Sequence, residues 1–305
     1  MLNTIDYLSP FEIDKIYYHF PCDDGFSAYV ISRFFMEKHN KKVKYVGIGR
    51  ARPPPDASDV ANKNVLFLDF AFNLETMSIL NASAKKLLIL DHHDTSRALT
   101  NLPGCHLDMN KCGSELAWAY FFPNEPLPYF LTLISDNDLH TKLYKETEAF
   151  IAMLRVEPYK YESFLKYFDR EYCQEIIKKG LTIVAFNSAL AEGEAKKARL
   201  KILVTPDGNG YDVLALNSSA HWMNNKIAEC LCNKYPQMII ALWYMNPYDD
   251  FITVSLRTAG LYNVAAIAEK FKGGGGHVKA AGFRYGGQVN EILQNPINRK
   301  IYDKF

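Results

Sequence analysis

The sequence predicts an α/β fold: an N-terminal domain on a parallel sheet, joined by a helical connector to a smaller α+β domain. Three observations carry this. In the first half, short apolar runs alternate with helical patterns, the mark of βαβ units. From about Arg199 the pattern changes to paired strands around Gly- and Asp-containing turns. A long helical stretch lies between. With 305 residues and 48% hydrophobic content, the chain can bury two cores. The expected boundaries are 1–165 for the first domain, 166–198 for the connector and 199–305 for the second domain.

The elements follow in order. KIYYHF reads as a strand, and GFSAYVISRFFMEKH follows with helical spacing. VKYVGIG is a second strand, and the prolines of ARPPPDASD make a loop. NVLFLDF and KKLLILD are two more strands, with the short helix NLETMSILNAS between them. SELAWAYFF, LPYFLTLISDNDL and residues 161–198 are helical, the last carrying Gly180 and Gly193. RLKILVT, PDGNG and YDVLALN form one hairpin; QMIIALWYM, NPYDD and FITVSLR form another. WMNNKIAECLCNKY and YNVAAIAEKF are helical. His221 and Trp222 follow NSSA at a predicted helix start, where capping and packing account for them.

Bulk chemistry narrows the partners. Lys+Arg 35 against Asp+Glu 34 leaves a formal charge of +1. Gripping long nucleic acid needs many phosphate contacts, so no such partner is expected. A local basic pocket for a small anion remains open. The six cysteines form no CxxC pair and no regular framework. With no signal peptide in view, the reading is a reduced, cytoplasmic protein. No apolar run approaches a membrane span.

Polar residues gather at strand ends. The first strand runs into His19, Asp23 and Asp24; the third ends at Asp69; the fourth delivers Asp91, His92 and His93. In a parallel sheet these carboxyl ends share one edge, where open α/β sheets bind ligands. Asp136 and Asp138, in LISDND, end an apolar segment that could return to that edge. A single Asp at a strand end is usually a cap or turn residue. Here several carboxylates converge, and they would repel one another without cations between them. Mixed Asp/His donors favour Mn²⁺, with Mg²⁺, Co²⁺ or Fe²⁺ as substitutes; Zn²⁺ more usually brings thiolates or fewer acids. The excess of carboxylates suits two ions about 3.5–4 Å apart.

HFPCDDGFSA, LDFAF, LDHHDT, ISDNDLH, SLRTAG and GGGGHVKAAGF together resemble the DHH phosphoesterase superfamily with its C-terminal DHH-associated domain, in order and spacing. The resemblance implies that His19 and Asp24 belong to the first metal motif and that Asp69 bridges two ions. It implies that His92 ligates metal with support from Asp91, and that His93 faces the scissile phosphate. Asp136 matches the final metal carboxylate, with Asp138 as the alternative. Many members read H-x-D-x-D-G in the first motif; this chain reads H-x-x-x-D-D-G and looks closer to a CPDGF-type branch. Asp24 precedes Gly25 and takes the motif role; Asp23 is a secondary ligand candidate.

In the second domain, Gly274, Gly275 and Gly276 could form an anion-binding nest. Four glycines in a row otherwise suggest a flexible linker. His277 and Arg257 would supply cationic contacts, Arg257 as a bidentate phosphate clamp. Asn217 is a further contact by analogy. The resemblance implies a Mn²⁺-dependent phosphodiesterase of small nucleotidic substrates: short oligoribonucleotides, 3′-phosphoadenosine 5′-phosphate or cyclic dinucleotides. The alternatives are a pyrophosphatase or polyphosphatase-like hydrolase and a catalytically silent nucleotide-binding protein. A homodimer is expected from family habit alone.

Overall fold

The computed structural model describes residues 7–49, 52–218, 223–246 and 249–296. His221 and Trp222 lie outside these residues, as do Ala51 of the ARPPPDASD loop and Pro247 and Tyr248 of the NPYDD turn. The chain divides into two compact units, Met1–Val184 and Ala185–Phe305.

The first unit is built on strands β1 (Lys15–His19), β2 (Lys44–Ile48), β3 (Asn64–Leu68), β4 (Lys86–Asp91) and β5 (Cys105–Leu107). Their order is β2-β1-β3-β4-β5, and every pairing is parallel. Helices α1 (Asp23–Lys38), α2 (Ala57–Val60), α3 (Leu74–Ser83), α4 (Gly113–Phe121), α5 (Tyr129–Asp138), α6 (Thr147–Leu154) and α7 (Tyr161–Leu165) complete it. Helix α8 (Arg170–Ala195) contains the point where the chain passes from one unit to the next.

The apolar runs are strands covered on both faces. Alternate residues of one strand point opposite ways. Leu66, Leu68, Leu88 and Leu90 join Phe26, Ile31, Leu116 and Phe130 in one core. Val65, Phe67, Leu87 and Ile89 join Tyr17, Met77 and Leu80 in the other. Asn73 caps α3 by accepting from the Thr76 amide at 2.9 Å, which sets where that helix starts.

The structure revises two expectations. Strand β5 carries too few apolar residues to stand out in the sequence. Helix α2 begins inside the predicted proline loop. Within the expected connector, Cys173, Ile176 and Ile177 of α8 are buried in the core of the first unit.

The second unit contains β6 (Arg199–Val204), β7 (Gly210–Asn217), α9 (Asn224–Lys234), β8 (Ile239–Met245), β9 (Ile252–Thr258), α10 (Val264–Ala268), β10 (Gly275–His277), β11 (Ala280–Tyr285), α11 (Val289–Ile292) and β12 (Leu293–Gln294). The strand order is β10-β11-β9-β8-β7-β6-β12, with β7 and β8 parallel and the other pairs antiparallel. The β6/β7 hairpin turns at Gly208, whose φ of +83° suits glycine. Leu214, Leu216, Ile240 and Leu242 pack with Ile227 and Leu231 of α9. The opposite face, with Val213, Ala215 and Ala241, packs against Val264 and Ile267 of α10.

A Cβ on Gly180 would overlap the Ala149 carbonyl oxygen, so α8 and α6 meet backbone to backbone. Gly180→Ala should therefore destabilise the protein by about 1–3 kcal/mol, although alanine is the better helix former. Urea unfolding measures this; an unchanged or higher midpoint would show that α8 and α6 separate freely.

Candidate metal centre

Parallel strands deliver the site. His19 ends β1, Asp69 directly follows β3, and Asp91, His92 and His93 end or follow β4. Asp24 lies in the first turn of α1, where an acid is favoured by the helix dipole. Its carboxylate accepts from the amides of Gly113 at 2.6 Å and Ser114 at 2.8 Å. Asp24 thus sits on the N-terminus of α4 as well as in that of α1. Gly113 is required there: a Cβ would lie 2.5 Å from the Asp69 Cβ.

Asp69 is buried, and its backbone is left-handed with φ +64°. Asp tolerates this region better than most residues. Its two carboxylate oxygens face different histidines. Oδ2 lies 3.2 Å from His19 Nδ1, and Oδ1 lies 3.2 Å from His92 Nε2. His92 Nε2 also faces Asp138 at 3.4 Å and Asp24 at 3.8 Å.

Two groups of donors result, His19–Asp69–His93 and Asp24–Asp69–His92, the donor atoms of each lying within 4.8 Å of one another. Asp69 belongs to both. Asp69 Oδ1 and His92 Nε2 are buried without a hydrogen-bond partner, their 3.2 Å approach lacking hydrogen-bond geometry. Buried polar atoms normally find partners. Acceptors converging on one point, with two of them orphaned, are what a divalent cation satisfies, so this oxygen- and nitrogen-rich set fits one or two such ions.

The charges tell the same story. Burial would raise Asp69, but the His19 and His92 contacts outweigh it and hold the carboxyl at about 2. Burial, then Asp69 and Asp138, push Asp24 well above the ordinary carboxylate value. Burial would lower His92, yet Asp69, Asp24 and Asp138 raise it to about 9. Without cations, the shifts of Asp24 and His92 both favour bound protons.

His93 is arranged differently. Asp91, fully buried, lies 2.8 Å from His93 Nδ1 and accepts from the His92 amide at 2.8 Å and the Ser96 hydroxyl at 2.5 Å. Its side chain therefore orients His93, not the His92 ring that the resemblance implied. The Asp91 contact raises His93 despite its burial. The His93 side chain is 42% exposed.

Two expected ligands are not brought to the cluster. Asp136 is turned into its own loop, accepting from Thr141 Oγ1 at 2.6 Å, the Leu143 amide at 2.6 Å and Thr147 Oγ1 at 2.5 Å. Asp138 stands beside His92 instead. Asp23 accepts from the Tyr159 hydroxyl at 2.7 Å and faces Arg155 Nε at 3.5 Å. The sequence offered one signal for Asp138: two acids spaced by one residue on a helix cannot share a face.

In the second unit, Arg257, Ala280 and His277 are directly opposed across β9, β11 and β10. Opposed residues share a face, so Arg257 and His277 flank Ala280 about 10 Å apart. Arg257 donates from Nη2 to Asn225 Oδ1 at 3.1 Å and from Nη1 to the Leu256 carbonyl at 3.0 Å. Gly275 and Gly276 belong to edge strand β10, and Gly274 packs where a Cβ would overlap the Ala268 carbonyl. Asn217 is the exposed last residue of β7.

A parallel five-stranded sheet carrying acids and histidines at one edge, followed by a second, mostly antiparallel sheet, is a fold that recurs in a solved structure. The pGpG-specific phosphodiesterase PggH from Vibrio cholerae shares it, with a TM-score of 0.50 at 12% identity over 89% of this chain and 92% of that one. Exonuclease RecJ bound to manganese gives a TM-score of 0.48 at 14% identity over 90% and 86%. In sequence, uncharacterized protein R106 of Acanthamoeba polyphaga mimivirus is 26% identical over 295 residues, covering 90% of this chain and 68% of that protein. No family model matches the chain. Among the described residues, no helix is long and apolar enough to cross a membrane.

Asp138→Asn should weaken Mn²⁺ binding in calorimetry by about tenfold or more. Asp136→Asn should leave it unchanged and instead lower stability by about 2–3 kcal/mol, the value of hydrogen bonds to a buried charge. The reverse pattern would return Asp136 to the cluster.

A raised folded pKa contributes stability that is present below the unfolded value and lost as pH rises through the folded one. For His92 that window runs from 6.5 to about 9, and Asp24 acts in the same direction. Metal-free protein should melt at a lower temperature at pH 9 than at pH 6.5. Calorimetry in buffers of different ionisation enthalpy should show protons released as Mn²⁺ binds.

Proposed function

We propose that this protein is a divalent-metal-dependent phosphodiesterase acting on small nucleotidic substrates, with Mn²⁺ as the working ion. The observation that carries the reading is Asp69, shared by two donor groups with one oxygen turned toward each histidine. The fold it has in common with PggH supports the same reaction class.

Asp24, Asp69, His92 and Asp138 would hold one cation; His19, Asp69 and His93 surround the place for a second. Bound there, divalent ions would polarise a phosphoryl oxygen and make water acidic enough to react at neutral pH. The protein's own chemistry centres on His93. Asp91 fixes the orientation of the ring through Nδ1 and favours its protonated form, leaving Nε2 to donate to a phosphoryl or leaving oxygen. Should His93 instead serve the second cation, Asp91 would orient it in the same way.

Arg257 and His277 are proposed substrate contacts, in one cross-strand row on either side of Ala280. A formal charge of +1 favours a short substrate over a long strand. Six free cysteines suit a reducing cytoplasm, and a homodimer is proposed as the working assembly.

The test is a panel of dinucleotides, cyclic dinucleotides, 3′-phosphoadenosine 5′-phosphate and pyrophosphate, incubated with Mn²⁺ and resolved by chromatography. Hydrolysis of a nucleotidic phosphoester is expected. Asp69→Asn and His92→Ala should each lower it by about 10³-fold or more, and His93→Ala by about 10²–10³-fold. Nucleotide binding without turnover would establish the silent binding protein, and turnover of pyrophosphate alone the pyrophosphatase.

A further inference from the structure

The second unit has a cavity of about 630 Å³ where the end of α8 meets β6, β7 and the C-terminal half of α9. Every residue lining it belongs to that unit, and none is among the proposed metal ligands or substrate contacts. The volume falls in the range of sites that hold small organic molecules.

Leu214 and Leu231 form a buried floor, and Leu200 and Tyr235 are half-buried walls. Ala195 ends α8 and Ala198 precedes β6, and both side chains are too short to fill the space. Such a lining favours an apolar body over water.

Charge sets the other half of the ligand. Lys196, Arg199 and Lys234 line the cavity together with Glu192, and none of the four makes an ion pair with a described residue. The simplest account is that the cations serve helix ends, where they are favoured by the dipole. Lys234 lies in the last turn of α9, and Arg199 Nη1 donates to the Lys196 carbonyl at 3.1 Å and the Ala198 carbonyl at 2.9 Å, just beyond α8. That account is incomplete. A helix C-terminus carries roughly half a negative charge, so both ends and Glu192 together leave about one positive charge over. Nε and Nη2 of Arg199 make no hydrogen bond to a described residue, and Lys234 overlies the Tyr235 ring at 5.2 Å. One surplus positive charge above an apolar floor calls for one negative charge on an apolar body. A phosphate monoester, with a charge nearer −2, matches less well.

We propose that this cavity binds a small amphipathic monoanion, an alkyl or aryl carboxylate. Its carboxylate lies among Lys196, Arg199 and Lys234, and its apolar body rests on Leu200, Leu214, Leu231 and Tyr235. The site stands independently of the phosphodiesterase reading.

The test uses a thiol of the cavity wall. Cys230 lines the cavity; Cys232, also half-buried, lies about 200° further around α9 and outside it. Burial raises both thiols, so the folded protein is labelled with iodoacetamide at alkaline pH and its peptides are read by mass spectrometry. Octanoate should slow labelling of Cys230 about tenfold once it fills about nine-tenths of the sites, and leave Cys232 unchanged. Octylamine reverses the charge and acetate lacks the body, so neither should protect at the same concentration. Replacing both exposed lysines, Lys196→Gln with Lys234→Gln, should raise the octanoate requirement about tenfold. Ala198→Leu should abolish protection by occupying the space; should that variant fail to fold, the lysine pair decides alone. The inference is overturned by unslowed Cys230, by equal slowing of both thiols, or by octylamine or acetate matching octanoate. An unchanged octanoate requirement in the lysine variant would also overturn it. Octyl phosphate protecting at about tenfold lower concentration than octanoate would replace the carboxylate with a phosphate and sink the single-charge assignment.

Discussion

One buried carboxylate must face two ways. Asp69 directs an oxygen to His19 and the other to His92, and its backbone takes a left-handed turn directly after β3 to do so. The rest of the first unit can be understood from that requirement. β3 is the middle strand of five, flanked by the strands that deliver His19 and the Asp91–His93 run. Gly113 is small enough for α4 to begin against the Asp69 side chain, and the same helix start donates two amides to Asp24. A residue with a Cβ at Gly113 would displace both carboxylates together.

The scaffold makes this tight arrangement affordable. Strands covered on both faces by Leu66, Leu68, Leu88 and Leu90 on one side and Val65, Phe67, Leu87 and Ile89 on the other are rigid platforms. Replacing one such leucine with alanine typically costs about 2–5 kcal/mol. Burying a carboxylate without a partner opposes folding. In the metal-free cluster burial and the neighbouring carboxylates push Asp24 up, and the carboxylates raise His92, so cation binding would work against bound protons. The centre is thus a local conflict, stable because the surrounding core overdetermines it.

Two loops around the centre use acids to build structure, not to hold ions. Asp136 gathers the hydroxyls and amides of the segment after α5, and its several hydrogen bonds lower its pKa against the effect of burial. Asp23 joins Tyr159 and Arg155 to the start of α1. Acid-rich motifs therefore carry two kinds of carboxylate, and the partners of each oxygen separate them. Asp91 belongs to the supporting kind as well, since its contacts go to backbone amides, Ser96 and the ring of His93.

By itself, the sequence determined the elements and the edge. Alternating apolar runs and helical spacing sufficed to place four parallel strands, and their polar ends marked where ligands gather, because strand polarity puts all those ends on one side. It also marked His19, Asp24, Asp69 and His92 as neighbours. What only the tertiary structure decided was the direction of each side chain within a run. Asp136 and Asp138 lie about 200° apart around α5, Asp23 and Asp24 about 100° apart on α1, and adjacent residues in extended backbone point to opposite sides. The order of residues records that acids are present, but the packing of each helix selects the one that faces the cluster. The short strand β5 and the pairing of Gly275 and Gly276 with β11 were hidden for a related reason. Both depend on a neighbouring strand's hydrogen bonds, which no local pattern encodes.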